Sequence, residues 1–359
     1  MALPATARRV PATSESAQPW LTVVVTAYHR KQFLPDAVRS LLAQEPPGVP
    51  FEIVVLKDFA DPELDHPLAG AGPPVRVFTE ELGGMGAMFA RAIELARGEV
   101  IAFLEDDDRF RPGKLRGLVE DFRAEPAPAF VRTSFRGIDA RGQPLPSWDV
   151  HRPQTPRSRT ISPDAPRGSD LAFVYHYGAH VNVSTMAIRA DAIRPWLGLL
   201  REITAAPDLF LFAAAALTGR PLLVESRVLN EYRVHQSASH ESLDGGPAAK
   251  AIAETVRSYA AAQVMRRMVA QRPGHRLAER FVLSFEREVA VVIYLLDPDA
   301  HASIGTWAGF VRTLFWRRQR YLGEIGLFAI YRALAPDRAV RAYRRRRFGA
   351  LRRAAGAAS

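Results

Sequence analysis

Between Leu21 and Leu104 the chain repeats one pattern: a short apolar run, a polar tip, then a stretch with helical spacing. Leu21 to Ala27, Phe51 to Leu56, Val75 to Phe78 and Val100 to Leu104 read as strands, too apolar to leave one face in water. Phe33 to Gln44 carries Leu34, Val38, Leu41 and Leu42 at helical spacing and stops at Pro46-Pro47. Ala87 to Ala96 is a second helix, closed by Gly98. Strands alternating with helices predict an α/β fold, a mostly parallel sheet flanked by helices. In such sheets ligands bind outside the carboxyl ends of the strands. The tips Thr26 to Arg30, Lys57 to Asp61 and Glu105 to Asp108 are therefore expected to converge on one crevice.

The last tip is the most charged. Glu105-Asp106-Asp107-Asp108 follows a buried strand, and four like charges repel unless something positive sits among them. A Mg²⁺ or Mn²⁺ ion bridging to a substrate diphosphate is one reading, since these cations take carboxylate oxygens. A solvated acidic turn ahead of a helix is the other.

Further on, Lys114 to Ala124 is helical and Ala129 to Arg136 strand-like. Asp139 to Asp170 is rich in Pro, Arg and Ser and has little periodicity, as a long functional loop would. Met186 to Ile188 reads as a strand and Asp191 to Leu200 as a helix. Asp208 to Leu217 is a helix behind Pro207, and Leu222 to Val224 and Val228 to Val234 are strand-like. From Ala248 the pattern is helical, over 248–271, 276–296, 301–320, 321–335 and 337–353. The expected organisation is a disordered lead-in at 1–19, an α/β domain at 20–240 and a basic helical extension at 248–359.

The tip segments resemble family 2 glycosyltransferases of the GT-A fold, over about Trp20 to His240. Val23-Val-Val-Thr26-Ala27-Tyr28-His29-Arg30 is similar to the family's opening strand and nucleotide-holding tip, which implies base contacts from Thr26, Tyr28 and Arg30. Ile53-Val-Val-Leu-Lys57-Asp58 matches a paired-aspartate segment in which Lys57 replaces the first acid. Asp58 then stands where a carboxylate accepts the uracil N–H, which favours a UDP-sugar. Leu82-Gly83-Gly84-Met85-Gly86 opens a helix, and Gly84 and Gly86 would let backbone approach a diphosphate at a helix N-terminus. Phe89-Ala90 stand where the family carries Arg-Asn, and Arg91, next in line, is the donor-side candidate. Glu105-Asp106-Asp107-Asp108, followed by Pro112, is similar to the family's Asp-x-Asp-Asp. The resemblance implies Asp107 as the metal ligand, Glu105 near the ribose, Asp106 near the ribose or a metal-bound water, and Asp108 behind them as a supporting or capping residue.

Two later segments extend the match. Asp208 lies in the region that supplies the family's catalytic base, with Glu202 in reserve; an ordinary helix-start aspartate is the plain alternative. Tyr232-Arg233-Val234-His235 is similar to a Tyr-Arg-x-His segment, which implies His235 on the metal and Arg233 toward the diphosphate. His176 and His180 read as structural or acceptor-side residues. The implied activity is metal-dependent, inverting transfer of a sugar from a nucleotide donor to a hydroxyl of a glycan or lipid-linked acceptor. The alternatives are a sugar nucleotidyltransferase and an inactive nucleotide-sugar-binding module. The former would carry a Gly-rich triphosphate loop near the first strand, where Ala27 to Gln32 has no glycine.

The absence of cysteine excludes disulfides, thiolate zinc sites and thiol nucleophiles, and fits a cytoplasmic setting. The net charge of +10 is concentrated near the end. Thirteen arginines between Arg312 and Arg353 face only Glu324 and Asp337, a net +11, which leaves −1 for the rest. That asymmetry argues against a nucleic-acid-binding domain. The same segment interleaves aromatics and leucines with the arginines, from Trp307 and Phe310 to Phe328 and Tyr331. This suits either a peripheral helix on the inner, anionic face of a membrane or a helical subdomain with a solvated arginine face.

Overall fold

The computed structural model describes residues 18–28, 31–62, 75–146, 154–235, 246–297, 304–317, 320–335 and 338–343. Arg30, most of the expected lead-in and the arginines from Arg344 onward lie outside them.

The strands are β1 (Leu21–Ala27), β2 (Phe51–Lys57), β3 (Val75–Thr79), β4 (Val100–Glu105), β5 (Arg109–Phe110), β6 (Phe130–Ile138), β7 (Arg159–Ile161), β8 (Met186–Arg189) and β9 (Leu222–Arg233). They form one sheet in the order β3-β2-β1-β4-β8-β6-β9-β5, with β7 on β9. β1 pairs in parallel with β2 and β4, and β2 with β3. β8 is antiparallel to both β4 and β6, and β9 runs parallel to β6. The carboxyl ends of β1, β2, β4, β6 and β9 therefore share one edge, as the alternating pattern predicts.

Alternate residues of each strand enter opposite faces. Val23 and Val25 of β1, Ile53 and Val55 of β2, and Ala102 and Leu104 of β4 join one buried cluster. Helices α1 (Leu34–Leu42) and α3 (Lys114–Arg123) cover it through Leu34, Val38, Leu41, Leu115, Leu118 and Phe122. On the opposite face Val24, Val54, Leu56, Ile101 and Phe103 meet α2 (Met85–Leu95), α4 (Asp170–His176) and α5 (Pro207–Ala216). This two-sided burial accounts for the continuous apolar runs, each large side chain contributing roughly 1.5–3 kcal/mol.

Three stretches differ in detail from the sequence expectation. Leu222–Arg233 is a single strand, and the polar Glu225-Ser226-Arg227 that divides it in sequence lies beside register shifts in β6. The span 190–200 is two helical turns split by a 3₁₀ turn at Arg194–Trp196, where Pro195 interrupts the helix. The aperiodic 139–170 region holds β7, three residues long and too short to show an alternation.

The C-terminal helices are α6 (Gly246–Ala270), α7 (Arg276–Leu296), α8 (Ile304–Arg317) and α9 (Arg320–Leu334). α6 and α7 extend the core of the α/β domain through Val264, Met265, Met268, Leu277 and Phe281, and Tyr175 Oη donates to the Phe281 carbonyl at 3.0 Å. His180, 7% exposed, packs its ring among Tyr175, Phe212 and Phe281, a structural place. Further out, Val291, Leu295, Leu296, Phe310, Ile325 and Ala329 form a third cluster, with Trp307, Leu314 and Phe328 against it. No described helix is long and apolar enough to cross a membrane.

Candidate active site

The shared edge collects the predicted tips. The Asp58 N–H donates to the Ala27 carbonyl at 3.4 Å, and the Asp106 N–H to the Thr26 carbonyl at 3.1 Å. Tyr28, Asp58 and the acidic turn are thus tied to neighbouring strand ends. β9 delivers Arg233 and, two residues on, His235 to the same turn.

Three of the four acids are buried: Asp106, Asp107 and Asp108 are 1%, 9% and 1% exposed. A solvated acidic turn is excluded by these values. Burying carboxylates is costly unless partners compensate, and the partners are specific. The His235 imidazole meets Asp107, with Nε2 and Oδ2 3.1 Å apart. The Arg233 N–H donates to Asp108 Oδ1 at 2.9 Å, and its Nε donates to the Asp107 carbonyl at 2.8 Å. Burial, and next the Asp107 charge, push the Asp108 carboxyl up to about 7, against hydrogen bonds from Arg233, Ser184 and Asn182.

Arg233 is filled by the protein itself. Its Nη1 donates to the Asp139 and Ala140 carbonyls at 3.3 and 3.1 Å, its Nη2 pairs with Asp36, and its guanidinium lies 4.8 Å from the centre of the Phe33 ring. The side chain therefore clamps the acidic turn to α1 and to the loop after β6. Asp36, on the first turn of α1, also takes Arg109 at 3.4 Å. Phe33 also packs against His235, with ring centres 4.7 Å apart and planes tilted by 55°. A helix-start aspartate such as Asp36 has no sequence signal that separates this role from an ordinary N-terminal charge.

A short turn missed in the sequence joins the acids to Asp208. Asn182 adopts φ +69°, and its side chain accepts from the Ser184 N–H at 2.9 Å, which starts a 3₁₀ turn at Val183–Thr185. Ser184 Oγ accepts from the Glu105 N–H at 3.0 Å. The Asn182 N–H donates to Asp208 Oδ2 at 3.2 Å, while the Leu209 N–H donates to Oδ1 at 2.9 Å. One turn thus orients both Glu105 and Asp208. Asn-x-Ser ahead of a strand is an Asx-turn signal, and that was the available cue.

Behind this turn sits Lys114, fully buried. Its Nζ donates to Thr133 Oγ1 at 2.6 Å and Asn230 Oδ1 at 2.9 Å, and Asn230 Nδ2 donates to the Ser184 carbonyl at 2.6 Å. Burial pushes the Lys114 ammonium well below its ordinary value. Lys57 explains the departure from paired acids at β2: fully buried, it donates to the Phe59 carbonyl at 2.7 Å and to Thr79 Oγ1 at 3.0 Å, bracing β2 against β3.

The glycines divide in role. Gly84 precedes α2 with φ +143°, a conformation that side chains rarely adopt. Gly86 is set by packing: a Cβ there would stand 2.2 Å from the Leu200 carbonyl oxygen and 2.4 Å from that of Ile203. Gly86→Ala should therefore destabilise the fold, at or above the upper end of roughly 1–3 kcal/mol for overpacking, because backbone atoms yield little. Urea unfolding of the variant measures this. Arg91 is ion-paired to Glu80 at 2.8 Å, and this contact holds the Glu80 carboxyl below its usual range.

Residues 22–190 match the sequence model of Glycosyl transferase family 2. Residues 22–190 belong to glycosyltransferase family 2. The match ends before Asp208, Arg233 and His235, so their places in the glycosyltransferase domain rest on the geometry above. The domain is 39% identical over 116 residues to the succinoglycan biosynthesis protein ExoO of Rhizobium meliloti, 32% of either chain. It is 26% identical over 142 residues to TuaG of Bacillus subtilis, named for teichuronic acid biosynthesis, covering 38% of this chain and 55% of TuaG. The chain thus spans about half of one relative and a third of the other. The mannosyltransferase PcManGT of Pyrobaculum calidifontis, solved with GDP-Man and Mn²⁺, shares the GT-A fold at 15% identity and a TM-score of 0.51, over 89% of this chain and 88% of that one.

Proposed function

We propose that the chain transfers a glycosyl group from a nucleoside-diphosphate sugar, a UDP-sugar by preference, to a hydroxyl of a glycan or lipid-linked acceptor, with inversion. The observation that carries this reading is the meeting of Asp107 and His235 beside two further buried carboxylates, within a family 2 domain. ExoO and TuaG are named for polysaccharide pathways, which supports an acceptor of that class.

Among the described residues no group of three or more His, Asp or Glu side chains gathers around one metal position. Asp107 and His235 nevertheless fit Mg²⁺ or Mn²⁺, which keep water and take substrate phosphate oxygens alongside one or two protein ligands. Such an ion, held by these two residues, would neutralise charge on the departing diphosphate. Tyr28 offers a ring for the base and Asp58 an acceptor for the uracil N–H, with Thr26 at the end of the same strand; Arg30 is a base-contact candidate by sequence alone. Glu105 and Asp106 lie at the ribose. Gly84 and the start of α2 face the diphosphate, with Arg91 nearly two helix turns further on. Arg233 acts chiefly by holding the acidic turn, and lends its charge from behind. Asp208 accepts the proton of the acceptor hydroxyl, whose oxygen bonds to the anomeric carbon as the sugar–phosphate bond breaks and its electron pair leaves on the diphosphate.

The test incubates the full chain and Mn²⁺ with a panel of nucleotide sugars, following nucleoside-diphosphate release and the donor-induced thermal shift. A UDP-sugar that stabilises the protein and is turned over is the expected result. Pyrophosphate exchange from a nucleoside triphosphate would identify a nucleotidyltransferase instead. Stabilisation with no release across a panel of glycan and lipid-linked acceptors would mark a binding module.

A further inference from the structure

Helix α9 is apolar on two opposite sides. Ile325 and Ala329 face the outer cluster, and Arg332 on that side is buried, with Nη1 donating to the Asp297 carbonyl at 2.9 Å and its guanidinium over the Tyr294 ring. The other side carries Leu327, Ile330, Tyr331 and Leu334, which are 68%, 63%, 39% and 80% exposed. Their spacing of three, four and seven residues places them on one stripe. Four of the exposed large apolar side chains among the described residues thus fall on this single helix, and Val311 of α8, 48% exposed, is a fifth on the same bundle. Over the last two turns of the helix, a contiguous apolar stripe of this kind marks a contact surface.

The charge around the stripe indicates what covers it. Arg312, Arg338 and Arg341 are exposed, and the segment from Arg312 to Arg353 carries the net +11 while the rest of the chain is near neutrality. An apolar stripe next to a dense cationic run is complementary to an anionic bilayer, where leucines enter the acyl boundary and arginines stay with the headgroups.

We propose that the outer face of α9, with the exposed Arg338 and Arg341 that follow it in the chain, docks this chain on an anionic lipid surface. The proposal goes beyond glycosyl transfer and does not depend on it.

Flotation of the full chain with vesicles of phosphatidylcholine alone, or mixed with phosphatidylglycerol, tests it. The chain is expected to float with the mixed vesicles only, and to be released by high salt. Leu327→Gln with Leu334→Gln should weaken binding about tenfold or more, as loss of buried apolar area dictates. Arg312→Gln with Arg338→Gln should do so by a similar factor. Both pairs should keep the wild-type thermal midpoint and donor-induced shift, because the changed side chains are exposed and lie outside the active site. Failure to float with mixed vesicles would overturn the proposal, as would equal flotation of the variants. A wild-type mass in size exclusion that falls in the leucine variant would also overturn it, by giving the face to a second copy of the chain.

Discussion

Asp107→Ala is expected to abolish the Mn²⁺-dependent thermal shift by donor and to lower kcat/KM by about 10²–10³ or more, the usual loss when one preorganised electrostatic group is removed from a reacting centre. It should do this without weakening the fold. Asp107 is 9% exposed and its charge is one of the two causes that push Asp108 up to about 7. Removing it relieves that repulsion, while Arg233 keeps its bonds to the Asp107 backbone carbonyl and to Asp108. The unfolding midpoint in the absence of metal should therefore be unchanged or raised, the sign expected where a site holds like charges for function. A retained Mn²⁺-dependent shift would remove Asp107 from the metal site. A midpoint well below wild type would show instead that the carboxylate serves the fold.

The sheet was legible because burial on both faces writes continuous apolar runs, and the strand tips were legible because polar residues end those runs abruptly. The acidic turn and His235 were legible as a pattern, yet their burial was not: nothing in Glu105 to Asp108 itself distinguishes a solvated turn from three carboxylates at 1–9% exposure. That difference is made by Arg233, His235 and Ser184, between 76 and 130 residues away along the chain. The same holds for Lys114, whose acceptors Thr133 and Asn230 come from two other strands. Gly86 shows the converse. Its place in a Gly-rich stretch before a helix suggests a phosphate cradle, while its missing Cβ admits the Leu200 and Ile203 carbonyls. Local signals name residue types that are able to do chemistry, and long-range packing decides which of them are given over to holding the fold.

Asp208→Asn is expected to leave the donor-induced shift intact and to reduce kcat by about 10²–10⁴, the range for loss of a positioned general base. The change also has a structural cost, which the measurement must separate. Both Asp208 oxygens accept backbone N–H groups, Oδ2 from Asn182 and Oδ1 from Leu209. An asparagine presents an NH₂ group to one of these donors, so one N–H loses its acceptor, at about 1–3 kcal/mol. A lowered midpoint is therefore expected in either case, and only the split between donor binding and turnover reports on the base. Because the Asn182 turn also sets Glu105 through Ser184, a variant that merely disturbed the turn would lose donor binding and turnover together. Loss of turnover alone, with donor binding retained, is the signature of a missing proton acceptor. A wild-type rate would move the base elsewhere. Glu202, the other candidate, is exposed and ion-paired with Arg267, so it would have to break that pair and turn inward before it could meet an acceptor hydroxyl.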